Sequence, residues 1–520
     1  MSKRNVPIFL FLALGLGVSC LTFGTIWLID QLSSPTFSSV KNTSAPELTD
    51  EKLTLLGDTF SGYSTFRNQT FLEALKQAGL NLRYEDEFDQ AKRSERFNQG
   101  QSDFLVTTLD QFLKQQPQGK IVGLIDYTVG ADAVILNTKK YPNLKSMLAL
   151  SHLVEEARNK GEQFTIVFAG DTPSEYLAQV LTTKFEEFKL SDLQIKKVAD
   201  ASEAWKLLQD SNQNVAVAVL WEPYVSQARQ RGYTVVLSSK DLPGTIVDVI
   251  VASNRLIESQ PEKISQLLTF YYRFIDTNVR NAEQLQAQIA LDGKLSNTDA
   301  SAVLQGIDFF TSVEADNWMK DGTLEKRINS TAAVLVLVGK MNQIPQNPKE
   351  LFTSEFIAEA AKNTHNLIQQ VRIDNPELAD RFAGKGKAIA PIVNFNSNQI
   401  ATAPNIGNLQ LQGEVKFTTD SALLTNQGKE TLDKLSRDIA EFNEQTIAIR
   451  VIGHTSKFGE ADFNQTLSQK RAQAVANYLR DRGLKHKIVA VGKGSSQPLP
   501  GVNPEDKRNQ RTEIRLVRIN

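Results

Sequence analysis

The chain of 520 residues is 41% hydrophobic and 22% charged, and its 58 basic and 59 acidic residues leave a formal net charge of −1. Single hydrophobic cores stop growing at about 250–300 residues, so this length predicts at least two domains. The balanced charge argues against nucleic acid as a partner, because nucleic-acid binding usually needs a basic surface. The single cysteine excludes an internal disulfide and a Cys-based zinc site, and the four histidines are dispersed. We expect no metal, no cofactor and no catalytic residue.

The N-terminal segment has the composition of a membrane anchor. Residues 7–29 carry no charge, follow two basic residues, and are long enough to cross a bilayer, which takes about 20 residues. We therefore expect residues 1–6 in the cytoplasm, residues 30–50 as a polar spacer, and the bulk of the chain in the periplasm, attached to the cytoplasmic membrane. A cleaved signal peptide is the alternative, although its apolar core is usually about 7–15 residues long. A lipoprotein attached through Cys20 is less favoured, because the apolar sequence continues beyond that residue.

Short apolar runs that are typical of buried strands alternate with helix-like segments from residue 51 onward. The runs are residues 53–56, 104–106, 133–136, 164–168, 215–220 and 234–237. This alternation predicts an α/β domain over residues 51–382, with parallel strands covered by helices. Residues 383–410 are rich in Gly, Pro, Asn and Ala, which predicts a linker. Residues 411–520 are predicted to form a separate α+β domain with the order strand, helix, strand, helix, strand, strand.

The C-terminal domain carries a series of ordered motifs. They are Val415-Lys416-Phe417, Ile452-Gly453-His454-Thr455, Asn464-Gln465-Thr466-Leu467-Ser468-Gln469-Lys470-Arg471-Ala472 and Asn509-Gln510-Arg511. On these motifs, residues 411–520 resemble the OmpA-like cell-wall-binding domain. The resemblance implies peptidoglycan as a partner, with Arg471 and an aspartate after the Gly-His-Thr element holding the carboxylate and amine of a diaminopimelate residue. The candidate peptidoglycan-binding residues are Thr455, Ser456, Asn464, Leu467, Arg471 and Arg511.

The spacing around Arg471 is compatible with an inward position for this side chain. Leu467, Arg471, Val475 and Leu479 recur every four residues, as on the core-facing stripe of a helix. An arginine in such a position needs a carboxylate partner. An arginine at the edge of the stripe that reaches solvent is equally compatible with this spacing.

The sequence departs from the family pattern directly after Thr455. Ser456 stands where the family usually has the aspartate, and a serine cannot neutralise an ammonium group. Glu460 and Asp462 in the same loop are the candidates for the missing charge.

Residues 51–382 carry a second series of motifs. They are Gly57-Asp58-Thr59-Phe60-Ser61-Gly62-Tyr63, Gly100-Gln101-Ser102-Asp103, Gly170-Asp171-Thr172-Pro173-Ser174-Glu175-Tyr176-Leu177, Val219-Leu220-Trp221-Glu222-Pro223-Tyr224 and Asp241-Leu242-Pro243-Gly244. On the order of these motifs, the domain resembles the type II periplasmic binding proteins of nitrate, sulfonate and thiamine-precursor ABC transporters. The resemblance implies two lobes with a ligand in the cleft between them, and an ABC permease as a partner. The thiamine-precursor branch of this family includes enzymes, but their cysteine-rich element has no counterpart in this chain, whose sole cysteine is Cys20, so no enzymatic role is expected.

Hydroxyl groups cluster where helices are expected to follow strands. Free backbone N–H groups at such helix starts favour an anion, so a small polar or anionic solute is predicted. Helix capping is the alternative role for several of these hydroxyl groups. The candidate solute-binding residues are Ser61, Tyr63, Ser64, Thr65, Thr107, Thr108, Asp171, Thr172, Ser174 and Glu222.

The leading interpretation is a membrane-anchored envelope protein that binds a solute, in transport or sensing, and associates with peptidoglycan. The alternative is a structural tether or interaction scaffold whose central domain no longer binds a ligand. An ion-driven stator is a third hypothesis, and it requires an acidic residue within the membrane span. The sole candidate, Asp30, lies at the outer edge of that span, which weighs against this hypothesis.

Overall fold

The computed structural model describes residues 52–385 and 396–519. The predicted membrane anchor and polar spacer lie outside the described residues. Within the described ranges, no helix has both the length and the apolar composition that a membrane crossing requires.

The described strands are numbered in chain order. They are β1 Lys52–Gly57, β2 Asn81–Asp86, β3 Phe104–Thr108, β4 Gly119–Thr128, β5 Asp132–Leu136, β6 Thr165–Ala169, β7 Gln194–Val198, β8 Val215–Trp221, β9 Thr234–Ser238, β10 Val247–Ser253, β11 Ile307–Phe309, β12 Asn405–Asn408, β13 Ile447–Gly453, β14 Ile488–Gly492 and β15 Thr512–Arg518. Each apolar run that the sequence analysis assigns to a strand overlaps one of them.

The described α-helices are numbered in the same way. They are α1 Ser64–Arg67, α2 Gln69–Gln77, α3 Gln90–Asn98, α4 Leu109–Gln115, α5 Met147–Asn159, α6 Pro173–Lys184, α7 Ala201–Gln209, α8 Tyr224–Gln230, α9 Asn254–Ser259, α10 Pro261–Arg280, α11 Ala282–Gly293, α12 Asn297–Gln305, α13 Ser312–Lys320, α14 Thr323–Leu337, α15 Ala358–Asp374, α16 Pro376–Phe382, α17 Ser397–Thr402, α18 Asn426–Ile439 and α19 Ala461–Asp481.

Two mixed sheets form two lobes. Lobe one has the strand order β11-β4-β10-β3-β1-β2, and lobe two has the order β7-β6-β8-β5-β9. The chain passes from lobe one to lobe two after β4 and returns between β9 and β10. Since the returning strand β10 runs antiparallel to β3 and β4, the sheet of lobe one is mixed rather than wholly parallel. The two-lobed α/β fold predicted from the sequence is confirmed.

The helices that follow β10 complete lobe one. Helix α10 buries one face of its length, including Leu267, Tyr271 and Ile275, as its spacing predicts. The hydroxyl of Tyr272 donates to the Leu124 carbonyl over 2.8 Å and accepts from the Leu124 amide over 3.0 Å, which fixes this helix against β4. Helix α14 packs against both α4 of lobe one and α6 of lobe two.

The C-terminal domain is a four-stranded sheet with the order β12-β15-β13-β14, covered by α18 and α19. Its first strand is β12, which lies before the predicted domain start at residue 411, and not the segment Val415-Lys416-Phe417 that carries the first family motif. That segment instead packs against the start of α18, where a methyl group added to Gly428 would lie 2.4 Å from the Lys416 carbonyl oxygen. The domain therefore begins before residue 411, and part of the predicted linker belongs to its sheet.

The C-terminal domain is docked on lobe two. The Gln410 amide donates to the Lys184 carbonyl over 2.9 Å, and the Glu186 amide donates to the Asn408 carbonyl over 3.1 Å. Lys184, at the end of α6, also pairs with Glu441 at 2.8 Å. Residues 396–410 thus connect the two domains through fixed contacts.

Candidate functional site

Polar residues from several strand ends of lobe one converge close to the segments that connect the two lobes. Tyr63 follows β1, Asp126 lies near the end of β4, and Asp248 lies at the start of β10. Asp126 and Asp248 are directly opposite each other in the antiparallel pair β4–β10. Their side chains therefore lie on the same face of the sheet, with Cβ atoms about 5 Å apart. Both are fully buried.

The turn after β1 closes against these two carboxyl groups. The Tyr63 hydroxyl donates to Oδ1 of Asp248 over 2.5 Å. A methyl group added to Gly62 would lie 2.2 Å from Oδ2 of Asp126, so only glycine leaves room for that carboxyl group. Burial raises the pKa of Asp248 well above its ordinary value, and the neighbouring Asp126 raises it further.

More acidic residues surround this pair. Burial raises the pKa of Asp132, at the start of lobe two, to about 7, and it raises the pKa values of Asp110 and Glu222 as well. The nearby guanidinium of Arg93 is neutralised by Asp58, with Nη2 and Oδ2 2.7 Å apart. Raised pKa values keep these carboxyl groups protonated to higher pH than usual, so they can donate as well as accept hydrogen bonds.

An ion pair bridges the two lobes at the rim of the cleft. Lys114 at the end of α4 pairs with Asp171, which precedes α6. Burial raises the pKa of Asp171, but the hydrogen bond and the charge of Lys114 outweigh this effect, so the pKa lies below its usual value. The carboxylate is therefore ionised at neutral pH and holds the lobes together.

Several predicted solute-binding hydroxyl groups have local partners in lobe one. The Ser64 hydroxyl donates to the Ser61 carbonyl over 2.6 Å, within its own turn. The Thr107 hydroxyl donates to Oε1 of Gln90 over 3.0 Å and so faces α3. Thr65 lines a separate cavity of about 300 Å³ beside α10 and α11. Of the lobe-one predictions, the structure brings Tyr63 to the acidic residues, and Thr108 directly precedes the helix that carries Asp110.

Two of the four predicted residues of lobe two, Thr172 and Glu222, hydrogen-bond the starts of helices. The Thr172 hydroxyl accepts from the Ser174 amide over 3.3 Å at the start of α6. Glu222 accepts from the amide and the hydroxyl of Ser226 over 3.0 and 2.9 Å at the start of α8. The hydroxyl of Ser174 is buried without a hydrogen-bond partner among the described residues. Sequence reasoning missed Asp126, Asp132 and Asp248, although a charged residue inside an apolar strand run is a signal.

A second candidate site lies in the C-terminal domain, where a cavity of about 280 Å³ opens beside α19. The cavity is lined by Asp420, Thr455, Ser456, Phe458, Gly459, Phe463, Asn464, Leu467 and Gln510. Four of the six predicted peptidoglycan-binding residues are in this set. The cavity is thus where the sequence motifs place the wall-binding site.

Arg471 is 8% exposed and lies next to this cavity. Its Nε donates to the Ser421 carbonyl over 2.9 Å, and its guanidinium carbon is 5.2 Å from the centre of the Phe417 ring. Burial lowers the pKa of Arg471, and the negative charge of Asp420 partly offsets this. These contacts agree with the predicted inward position and disagree with an arginine that reaches solvent.

The carboxylate that faces the cavity is Asp420. Its backbone has a φ of 50°, a left-handed conformation in which Asp and Asn are enriched, and the side chain lines the cavity with Ser456. Glu460 and Asp462, the residues expected to replace the missing aspartate, are exposed and do not line it. The charge opposite Arg471 therefore comes from a different loop than the sequence indicated.

The last predicted residue, Arg511, contacts a residue of the sheet and does not line the cavity. Its Nη2 lies 2.7 Å from Oε1 of Glu513 on β15. Burial raises the pKa of Glu513, but a hydrogen bond from His454 and the charges of Arg515 and Arg511 lower it to about 2. Arg511 is thus part of a half-buried ion network with Glu513 and Arg515.

Comparisons with known proteins agree with this division of the chain. Residues 416–512 match the model of the OmpA family. Outer membrane protein A of Shimwellia blattae is 36% identical over 92 residues, which are 18% of this chain and 38% of that relative, so the chain spans well under half of its length.

Two solved periplasmic proteins have similar folds. The aliphatic sulphonate binding protein SsuA from Escherichia coli is 15% identical with a TM-score of 0.47, and covers 59% of this chain and 99% of its own. The nitrate-binding protein NrtA from Synechocystis PCC 6803 is 11% identical with a TM-score of 0.48, and covers 62% of this chain and 90% of its own. Neither likeness indicates a ligand for this protein. The C-terminal domain, in contrast, is OmpA-like.

Proposed function

We propose that the protein is a non-enzymatic envelope protein that binds peptidoglycan through its C-terminal domain and a small polar solute through its central cleft. The predicted segment at residues 7–29 would hold it in the cytoplasmic membrane, with both domains in the periplasm. A permease or another envelope protein would receive the solute or the signal of its binding. No step of this function requires a cofactor.

The observation that carries the wall-binding part is the pair of opposite charges at the cavity in the OmpA-like domain. Arg471 offers donors to a carboxylate, and Asp420 offers acceptors to an ammonium group. A diaminopimelate residue in a peptidoglycan stem peptide carries both groups. Cosedimentation of the full chain in detergent with purified sacculi tests this part, and recovery of the protein in the supernatant would contradict it.

The solute-binding part is supported by the buried acidic residues between the lobes. Carboxyl groups accept hydrogen bonds in either protonation state and carry a negative charge once deprotonated, so the cluster suits a solute with N–H donors, such as an amine. Ligand present at a hundred times its dissociation constant stabilises a fold by about 2.7 kcal/mol, which moves a melting temperature by degrees. We therefore expect a shift with amines, polyamines or basic amino acids, and none with sulfonates or oxyanions.

The second candidate function is a structural tether. The fixed contacts between the C-terminal domain and lobe two favour it, because a spacer between membrane and wall gains from rigidity. If the protein binds sacculi but no solute in the panel shifts its melting temperature, the structural tether is supported and solute binding is contradicted.

A further inference from the structure

Two large apolar side chains are exposed at the wall-binding cavity. Phe458 is 80% exposed and Phe463 is 53% exposed, and both line the cavity with Asp420 and Ser456. Single exposed hydrophobic residues are ordinary on protein surfaces. Two phenyl rings at the mouth of one polar cavity form a patch, and such patches mark binding surfaces.

The backbone holds the Phe458 ring in solvent. Asn464, only 4% exposed, donates from Nδ2 to the Phe458 carbonyl over 2.9 Å. On the other side, the Lys457 amide donates to the Pro504 carbonyl over 2.8 Å. Gly459 follows with a φ of +86°, which turns the chain away into α19. The loop that carries this exposed ring therefore has a fixed backbone conformation.

Phe463 is held in a similar way, since it lies in the first turn of α19. The two rings are thus pre-positioned on neighbouring segments beside the charged pair of Asp420 and Arg471. The backbone that carries both rings is already ordered, so a ligand need not pay for ordering these segments.

The chemistry of this patch differs from that of the adjoining cavity. Phenyl rings supply neither charge nor strong hydrogen bonds, and they stack on flat apolar faces. In peptidoglycan, the stem peptide that suits the charged pair is attached to a glycan of N-acetylated hexosamines, whose rings present C–H faces. We infer that Phe458 and Phe463 form a second subsite that stacks on a sugar ring of the glycan strand. This inference rests on the proposed binding of peptidoglycan.

The test compares two soluble probes that share one stem tripeptide containing diaminopimelate. One probe carries the N-acetylglucosaminyl-N-acetylmuramyl disaccharide, and the other is the free tripeptide. Phe458→Ala and Phe463→Ala are each expected to weaken binding of the disaccharide probe by about two- to tenfold, as loss of an aromatic contact does. Binding of the free tripeptide should remain unchanged.

Phe88→Ala is the matched control, because Phe88 is 64% exposed in lobe one. It should alter neither affinity, and thermal melts should show that all three variants fold. Equal losses on both probes would assign the rings to the peptide and overturn the sugar subsite, as would no loss on either. A wild-type chain that binds neither probe would contradict the peptidoglycan proposal itself.

Discussion

Arg518, the last residue of β15, places Nη2 2.7 Å from Oδ2 of Asp241, in the segment that leads from lobe two back to lobe one. Asp241 is fully buried, and the same oxygen also accepts from the amide and hydroxyl of Ser238 over 2.9 and 3.1 Å. Nearby, the Asn443 amide donates to the Asp241 carbonyl over 2.9 Å. The OmpA-like domain therefore contacts the two-lobed domain at one of the segments that connect its lobes.

Replacement of Arg518 by alanine should destabilise the protein. The buried carboxylate of Asp241 would lose its charged partner, and breaking a buried ion pair costs about 3–5 kcal/mol. Chemical denaturation would measure this loss. Arg255→Ala is the control, because Arg255 pairs with Asp103 at the same 2.7 Å but is 63% exposed. Its loss should cost less than about 1 kcal/mol, and equal effects of the two variants would contradict the role of burial.

Asp420→Asn should weaken binding of a diaminopimelate-containing muropeptide by about tenfold. The substitution keeps the shape and the left-handed backbone conformation but removes the charge that we assign to the ligand amine. Arg471→Lys should have a similar effect, because a lysine cannot bind a carboxylate through two parallel donors. Isothermal titration would measure both. Glu460→Gln, in the adjacent loop, should leave the affinity unchanged. A loss of affinity in this variant would instead support the expectation from the sequence that Glu460 supplies the missing charge.

Binding of a cationic solute in the cleft should strengthen as pH rises from about 6 to 8. Burial raises the pKa values of Asp248 and Asp132, the latter to about 7, so protons must leave when a cation binds. Asp248→Asn should reduce both the affinity and its pH dependence, as followed by thermal shift at several pH values. Glu283→Gln, on the exposed surface of α11, is the control. A pH-independent affinity in the wild type would count against a cationic solute.

Asp132 should make the stability of the protein fall as pH rises. Its pKa is raised from about 4 in the unfolded chain to about 7 in the fold, so the folded state binds more protons between these values. This contribution to stability is full below pH 4 and is lost as pH rises through 7, on the order of 4 kcal/mol. Asp132→Asn should therefore gain stability over wild type at pH 8 but not at pH 4. Asp481→Asn, an exposed control, should follow wild type throughout.

The sequence by itself determined the features that depend on neighbours along the chain. Apolar runs indicated strands such as β6 and β8, and a four-residue period made Arg471 a candidate for the inner stripe of α19. The ordered motifs likewise indicated the OmpA-like domain, whose family match covers residues 416–512. Periodicity and local motifs depend on residues that are close together in the sequence, so they can be recognised without the structure.

Only the tertiary structure determined which charged residues lie close to one another. Asp126 and Asp248 come together through strand pairing across more than a hundred residues, and this pairing is the basis for the proposed solute with N–H donors. Asp420 reaches the cavity from the loop before α18, although the motif directed attention to residues near Ser456. The same holds for Arg518 and Asp241, which belong to different domains. Contacts of this kind depend on the register of remote elements, which local sequence patterns do not encode.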